Sequence, residues 1–124
     1  MPRIAIVDDS RLIRAFTASA LQARGFEVVE VDPTSLFDVL QILRAEAVDM
    51  LLVDLLMPAC PGEKLVRACR ADERLKELPI LMVSAHRDEE TVLFLQSLGV
   101  SGFLLKPVDA ATLADRVTEV LAAG

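Results

Sequence analysis

The sequence predicts an α/β protein of the doubly wound class, a parallel sheet with helices on both faces. Three observations lead there. Five short apolar runs recur along the 124 residues, segments of helical spacing separate them, and hydrophobic residues make up 53% of the chain. Strands buried on both sides must be apolar almost throughout, which accounts for a mean hydropathy of +0.45. The length fits one domain over residues 1–124, and no linker or low-complexity stretch divides it.

The first strand is Ile4-Ala5-Ile6-Val7, followed by a helix whose stripe is Leu12, Ile13, Phe16, Ala20 and Leu21, ending before Gly25. The second strand is Val28-Val29-Glu30-Val31. Its helix opens after Pro33 with Leu36, Leu40 and Leu43 on one side. Met50-Leu51-Leu52-Val53 is the third strand, and Leu65, Val66 and Cys69 form the helical stripe that follows Pro61-Gly62. Ile80-Leu81-Met82-Val83 is the fourth strand, with Val92, Leu95 and Leu98 on a helix that stops at Gly99. Phe103-Leu104-Leu105 is the fifth strand, and Asp109 caps a last helix carrying Leu113, Val117, Val120 and Leu121. Strict βα alternation implies parallel strands joined by right-handed crossovers.

Composition removes several classes of function. The net charge is −6, from 13 basic and 19 acidic residues, and only 4% of residues are aromatic. Nucleic-acid binding wants a basic stripe or stacking platforms, and neither is present. The apolar runs fall far short of the roughly 18 residues that span a bilayer. No basic and apolar leader precedes the first strand, so a cytoplasmic protein is expected. Cys60 and Cys69 lack metal-site spacing and read as ordinary reduced thiols.

In open α/β sheets, ligands sit beyond the carboxyl ends of the strands, where the strand order reverses. Asp8-Asp9 follows the first strand, Asp54 the third, Ser84 the fourth and Lys106-Pro107 the fifth. Carboxylates gathered in a crevice repel by several kcal/mol at about 4 Å and an effective dielectric near 20. A hard cation relieves that repulsion. Mg²⁺ takes oxygen ligands and is commonly held by one or two carboxylates plus a phosphate oxygen. Lys106 and Ser84 add a cation and a donor for phosphoryl oxygens, and Asp is itself a competent phosphoryl acceptor. The acidic first loop and the lack of a Gly-x-Gly-x-x-Gly argue against flavodoxin-type, P-loop and dinucleotide sites.

These motifs, Asp8-Asp9, Asp54-Leu55-Leu56-Met57-Pro58 with Gly62, Ser84-Ala85 and Lys106-Pro107, make the chain similar over its full length to the receiver domain of two-component response regulators, the CheY-like group. The resemblance implies a flavodoxin-like (βα)5 fold with strand order 2-1-3-4-5. It implies a phosphoryl group passed to Asp54 by a histidine kinase or phosphotransfer protein, and no turnover beyond the domain's own phosphorylation and dephosphorylation. It implies Mg²⁺ held by Asp8, Asp9, Asp54 and the Leu56 backbone carbonyl, with Lys106 paired to the phosphoryl group. Ser84 and Phe103 would be the switch residues, reshaping the surface of the fourth helix, fifth strand and fifth helix for a downstream target or a homodimer. The Lys106-Pro107 bond is expected to be cis.

Each residue has a plainer reading. Asp8 or Asp9 is also a candidate helix cap, Asp54 a turn residue, Phe103 simply core, and His86 a solvated loop residue that could border the site two positions past Ser84. Leu56 also borders it, and its apolar chain cannot orient a water by hydrogen bonding, so slow loss of phosphate is expected. Phe37, Val39 and Ile42 on the second helix, and Leu93 and Phe94 on the fourth, widen the apolar faces beyond one stripe, for deeper burial or for docking. A Mg²⁺-dependent phosphatase of the haloacid dehalogenase type is one alternative function, weakened by Leu56 where a second, proton-donating Asp is usual. A receiver-like scaffold that never takes phosphate is the other.

Overall fold

The structure, a computed structural model, describes residues 1–86 and 88–123. The elements are β1 (Arg3–Val7), α1 (Arg11–Gln22), β2 (Glu27–Val31), α2 (Leu36–Glu46), β3 (Met50–Val53), α3 (Gly62–Ala71), β4 (Ile80–Ser84), α4 (Glu89–Ser97), β5 (Gly102–Leu105) and α5 (Ala110–Ala123). The strands form one sheet in the order β2-β1-β3-β4-β5. All four pairings are parallel, with Ile4 opposite Val28 and Met50, Leu52 opposite Leu81, and Met82 opposite Phe103.

The apolar strands serve two cores because successive side chains point to opposite faces. Ala5, Val7, Leu51, Val53, Ile80 and Met82 pack against α2, α3 and α4 through Val39, Leu43, Leu65, Val66, Cys69 and Leu95. Ile4, Ile6, Met50, Leu52, Leu81 and Val83 pack against α1 and α5 through Ala18, Leu21, Leu113 and Val117. Each fully buried Leu, Ile or Val contributes about 1.5–3 kcal/mol. The central strands β1, β3 and β4 are buried almost throughout, whereas the edge strands β2 and β5 are half exposed.

Local signals close the helices. Ser35 Oγ accepts from the Asp38 backbone N–H at 3.1 Å, a carboxylate oxygen of Asp88 from Thr91 at 3.2 Å, and one of Asp109 from Thr112 at 2.8 Å. Gly25 and Gly99 end α1 and α4 with positive φ angles of 89° and 78°. Ala47 ends α2 at φ 50°, a left-handed conformation that costs a Cβ-bearing residue energy.

Two sequence expectations are corrected. Ser10, rather than Asp8 or Asp9, caps α1, its hydroxyl accepting from the Ile13 N–H at 3.2 Å. The expected α1 stripe is also only half right: Ala20 and Leu21 are buried, while Leu12 is 81% exposed and Ile13 and Phe16 lie at the surface. At about 100° per residue, Leu12 and Phe16 fall on the side of the helix away from Leu21, and Thr17, Ala18 and Leu21 make the inward face.

The wide faces of α2 and α4 divide. Val39 joins the core and Ile42 and Phe94 pack against it, while Phe37 and Leu93 stay exposed. The Arg67 guanidinium lies 5.1 Å from the centroid of the Phe94 ring, and such contacts favour a half-buried aromatic. Both cysteines are free and buried, and burial pushes the Cys69 thiol up to about 12. Among the described residues, no helix is long and apolar enough to cross a membrane.

Candidate functional site

The strand order reverses at β1, whose neighbours β2 and β3 are reached by crossovers on opposite faces, and this opens a crevice at the carboxyl ends of β1 and β3. Asp8 and Asp54 are the first residues beyond those two strands. The Asp54 backbone N–H donates to the Val7 carbonyl at 3.1 Å, so the parallel ladder carries on into the site and fixes the relative height of the two acids. Behind Asp54 the loop folds back on itself, with the Gly62 N–H donating to the Leu55 carbonyl at 2.9 Å. A Cβ at Gly62 would overlap the Asp54 carbonyl oxygen and stand 2.8 Å from Leu55 Cα. Only glycine permits that approach.

Asp8, Asp9 and Asp54 each offer a carboxylate oxygen, and these atoms lie within 4.8 Å of one another. Asp8 and Asp54 are buried and Asp9 is exposed. From the end of β5, Lys106 Nζ reaches Asp8 Oδ2 at 2.9 Å and Asp54 Oδ2 at 3.4 Å. Its backbone N–H donates to the Ser84 carbonyl at 2.8 Å, which ties β5 to β4 at the same level. The Lys106-Pro107 bond is cis.

Burial is the main influence on Asp54 and lifts its carboxyl above the ordinary value. The Lys106 ammonium opposes that rise, the Asp8 carboxylate adds to it, and hydrogen bonding from Lys106 and the Leu56 backbone N–H lowers it. Among the described residues, Lys106 is the only cation in an ion pair with these clustered acids, and it reaches two of the three. That imbalance suits a divalent cation, and an all-oxygen donor set is the kind that Mg²⁺ takes.

The structure thus brings together Asp8, Asp9, Asp54 and Lys106, which lie on three strand ends. Ser84 is buried at the end of β4, its hydroxyl accepting from the His86 backbone N–H at 3.1 Å. Phe103 is half-buried against the α2–α4 core, and the His86 side chain is exposed. The Leu56 side chain is 57% exposed two residues past Asp54. Sequence reasoning missed Arg14, whose guanidinium donates to the Asp8 carbonyl at 2.6 Å. Its position one turn beyond the Ser10 cap is the only signal the sequence carries for it.

Fold and site together define a doubly wound domain with an acidic, lysine-bridged crevice at its topological switch point. The sequence pattern of the response regulator receiver domain matches residues 4–118, and the chain belongs to that family. It is 35% identical to the chemotaxis protein CheY of Pseudomonas aeruginosa over 119 residues, 95% of this chain and 94% of that protein. It is 34% identical over 116 residues to the CAI-1 autoinducer sensor kinase/phosphatase CqsS of Vibrio cholerae, matching 93% of this chain and 17% of that much longer protein. The crystal structure of Vibrio cholerae CheY4 at low pH superposes with a TM-score of 0.89 at 29% identity, covering 97% of this chain and 98% of that one. CheY-like receivers of two-component systems are signalling domains rather than classical enzymes, and they act with histidine kinases and downstream targets.

Proposed function

We propose that residues 1–124 act as one phospho-acceptor switch, in which Asp54 takes a phosphoryl group from a histidine kinase or phosphotransfer protein. The observation that carries this reading is the bridging of Asp8 and Asp54 by Lys106 within a cluster of three carboxylates. Asp8, Asp9 and Asp54, with the Leu56 backbone carbonyl, would hold Mg²⁺. The bound cation would supply charge neutralisation for the carboxylates and the incoming phosphoryl oxygens.

The chain's own residues do the rest. A carboxylate oxygen of Asp54 attacks phosphorus in line, forming the O–P bond as the P–N bond to the donor imidazole breaks and the imidazole leaves. Lys106 lets go of Asp54 and pairs with the transferred group, while Asp8 keeps its position through the ladder of β1. Ser84 gives up the His86 N–H to donate its hydroxyl to a phosphoryl oxygen, and Phe103 turns into the space this opens. The added negative charge biases a two-state change in the surface formed by α4, β5 and α5, which a downstream target or a second copy of the chain reads. The exposed apolar Leu56 leaves no acid in the place where a phosphatase of the haloacid dehalogenase type carries its proton donor.

Labelling with a small acyl phosphate donor and Mg²⁺ tests the proposal. Stoichiometric label on the unaltered protein and none on Asp54→Asn is the expected pair of results. Label at an equal rate on both proteins would refute the acceptor role of Asp54.

A further inference from the structure

We propose that Arg14 is a positioning residue for the carboxylate cluster, a brace that fixes the Asp8–Asp9 peptide and so the direction in which both acids point. The inference rests on the metal reading above and extends it to a residue outside the acidic rim.

Every acceptor oxygen of Asp8 is engaged. Its Oδ1 accepts from the Ser10 backbone N–H at 2.8 Å, its Oδ2 from Lys106 Nζ at 2.9 Å, and its main-chain oxygen from Arg14 Nη1 at 2.6 Å. The last bond is the one that orients the peptide plane leading into Asp9. Arg14 is itself well anchored, since its backbone N–H donates to the Ser10 carbonyl at 2.9 Å in the first turn of α1. From there the guanidinium crosses to β2, where Nε faces Glu30 Oε1 at 3.8 Å. One group therefore joins the end of β1, the start of α1 and the neighbouring strand.

This is an expensive way to fill space. The Arg14 side chain is only 11% exposed, and its Nε is buried without a hydrogen-bond partner. A whole buried ion pair can often be replaced by well-packed apolar side chains without loss of stability, so a buried charge is not by itself a device for stability. Among the described residues, the hydrogen bond to the Asp8 carbonyl is the only one that the Arg14 guanidinium makes, and this is the contact its buried charge serves. Groups that orient metal ligands in this way commonly govern affinity by about 10-fold or more.

Geometry and charge make opposite forecasts, which gives the test its direction. Removing a cation near three carboxylates makes the cluster more negative, so charge alone would tighten Mg²⁺ binding. Loss of the brace would weaken it. Lysine keeps the charge but lacks the planar fork that spans Asp8 and Glu30.

The experiment measures the Mg²⁺ dissociation constant of the whole chain by calorimetric titration at neutral pH, for the unaltered protein, Arg14→Met and Arg14→Lys. Circular dichroism confirms that each variant is folded. The expected result is a dissociation constant raised about 10-fold or more in Arg14→Met, and raised also in Arg14→Lys despite its retained charge. Should Arg14→Met fail to fold, Arg14→Lys carries the comparison alone. Tighter binding by Arg14→Met, or an Arg14→Lys indistinguishable from the unaltered protein, would overturn the brace. Failure of the unaltered protein to bind Mg²⁺ would instead overturn the metal reading and the brace with it.

Discussion

Replacing Asp54 by Asn should stabilise the protein when no divalent cation is present. Asp54 lies within 4.8 Å of carboxylate oxygens from both Asp8 and Asp9. At that distance and an effective dielectric near 20, each like-charge pair costs about 3.5 kcal/mol. Lys106, 3.4 Å away, returns about 5 kcal/mol on the same scale. Asp9 is exposed and its repulsion is screened, so Lys106 roughly offsets the repulsion from the acids, and desolvation by burial is what tips the balance against the charged form.

Asp54→Asn is therefore expected to gain about 1–2 kcal/mol, or about 4–8 °C in Tm for a chain of this length. The assay is urea and thermal unfolding at neutral pH in EDTA, repeated with millimolar Mg²⁺, which should narrow the gap by stabilising the unaltered protein. The pH dependence follows from the same cause. Because the folded carboxyl of Asp54 titrates above its ordinary 3.8, the folded state binds the proton more tightly than the unfolded state. Stability from this group is thus fullest below 3.8 and is lost as pH rises through the raised folded value. The Asn variant should lack that decline. If Asp54→Asn proves less stable than the unaltered protein in EDTA, attraction to Lys106 outweighs repulsion and desolvation together and the reasoning fails.

Gly62→Ala should destabilise by about 1–3 kcal/mol, because the added methyl must displace the Asp54 carbonyl; thermal unfolding and phosphodonor labelling should both suffer, and an unchanged Tm would contradict the close approach. Ala47→Gly should stabilise by about 0.5–1 kcal/mol by relieving the left-handed C-cap of α2, as read by urea unfolding. Leu56→Asn should shorten the lifetime of phosphorylated Asp54, since an amide can orient the attacking water and leucine cannot; a decay rate no faster than that of the unaltered protein in a chase of labelled protein counts against this.

Much of the fold was legible in the chain because its signals are local. The βα alternation, the stop at Gly25, the Asp109 cap and the acids, serine and lysine at the strand ends all follow from patterns a few residues long. The α1 stripe was misread for a reason equally physical: Leu12, Ile13 and Phe16 have the spacing of a buried face, but Thr17, Ala18 and Leu21 turn toward the sheet. Hydrophobic spacing says which residues share a side of a helix, not which side meets the core.

The sequence by itself determined the order of elements, the two-sided apolar strands and the presence of carboxylates, a hydroxyl and an ammonium at the carboxyl ends of the strands. Tertiary structure decided their distances and their neighbours. It alone paired Lys106 with Asp8 across 98 residues, raised Asp54 by burial, and carried Arg14 to the back of Asp8 with its Nε left unbonded. Residue type and spacing act over a few positions, whereas dielectric, ion pairing and hydrogen-bond satisfaction depend on groups that only the folded chain brings together.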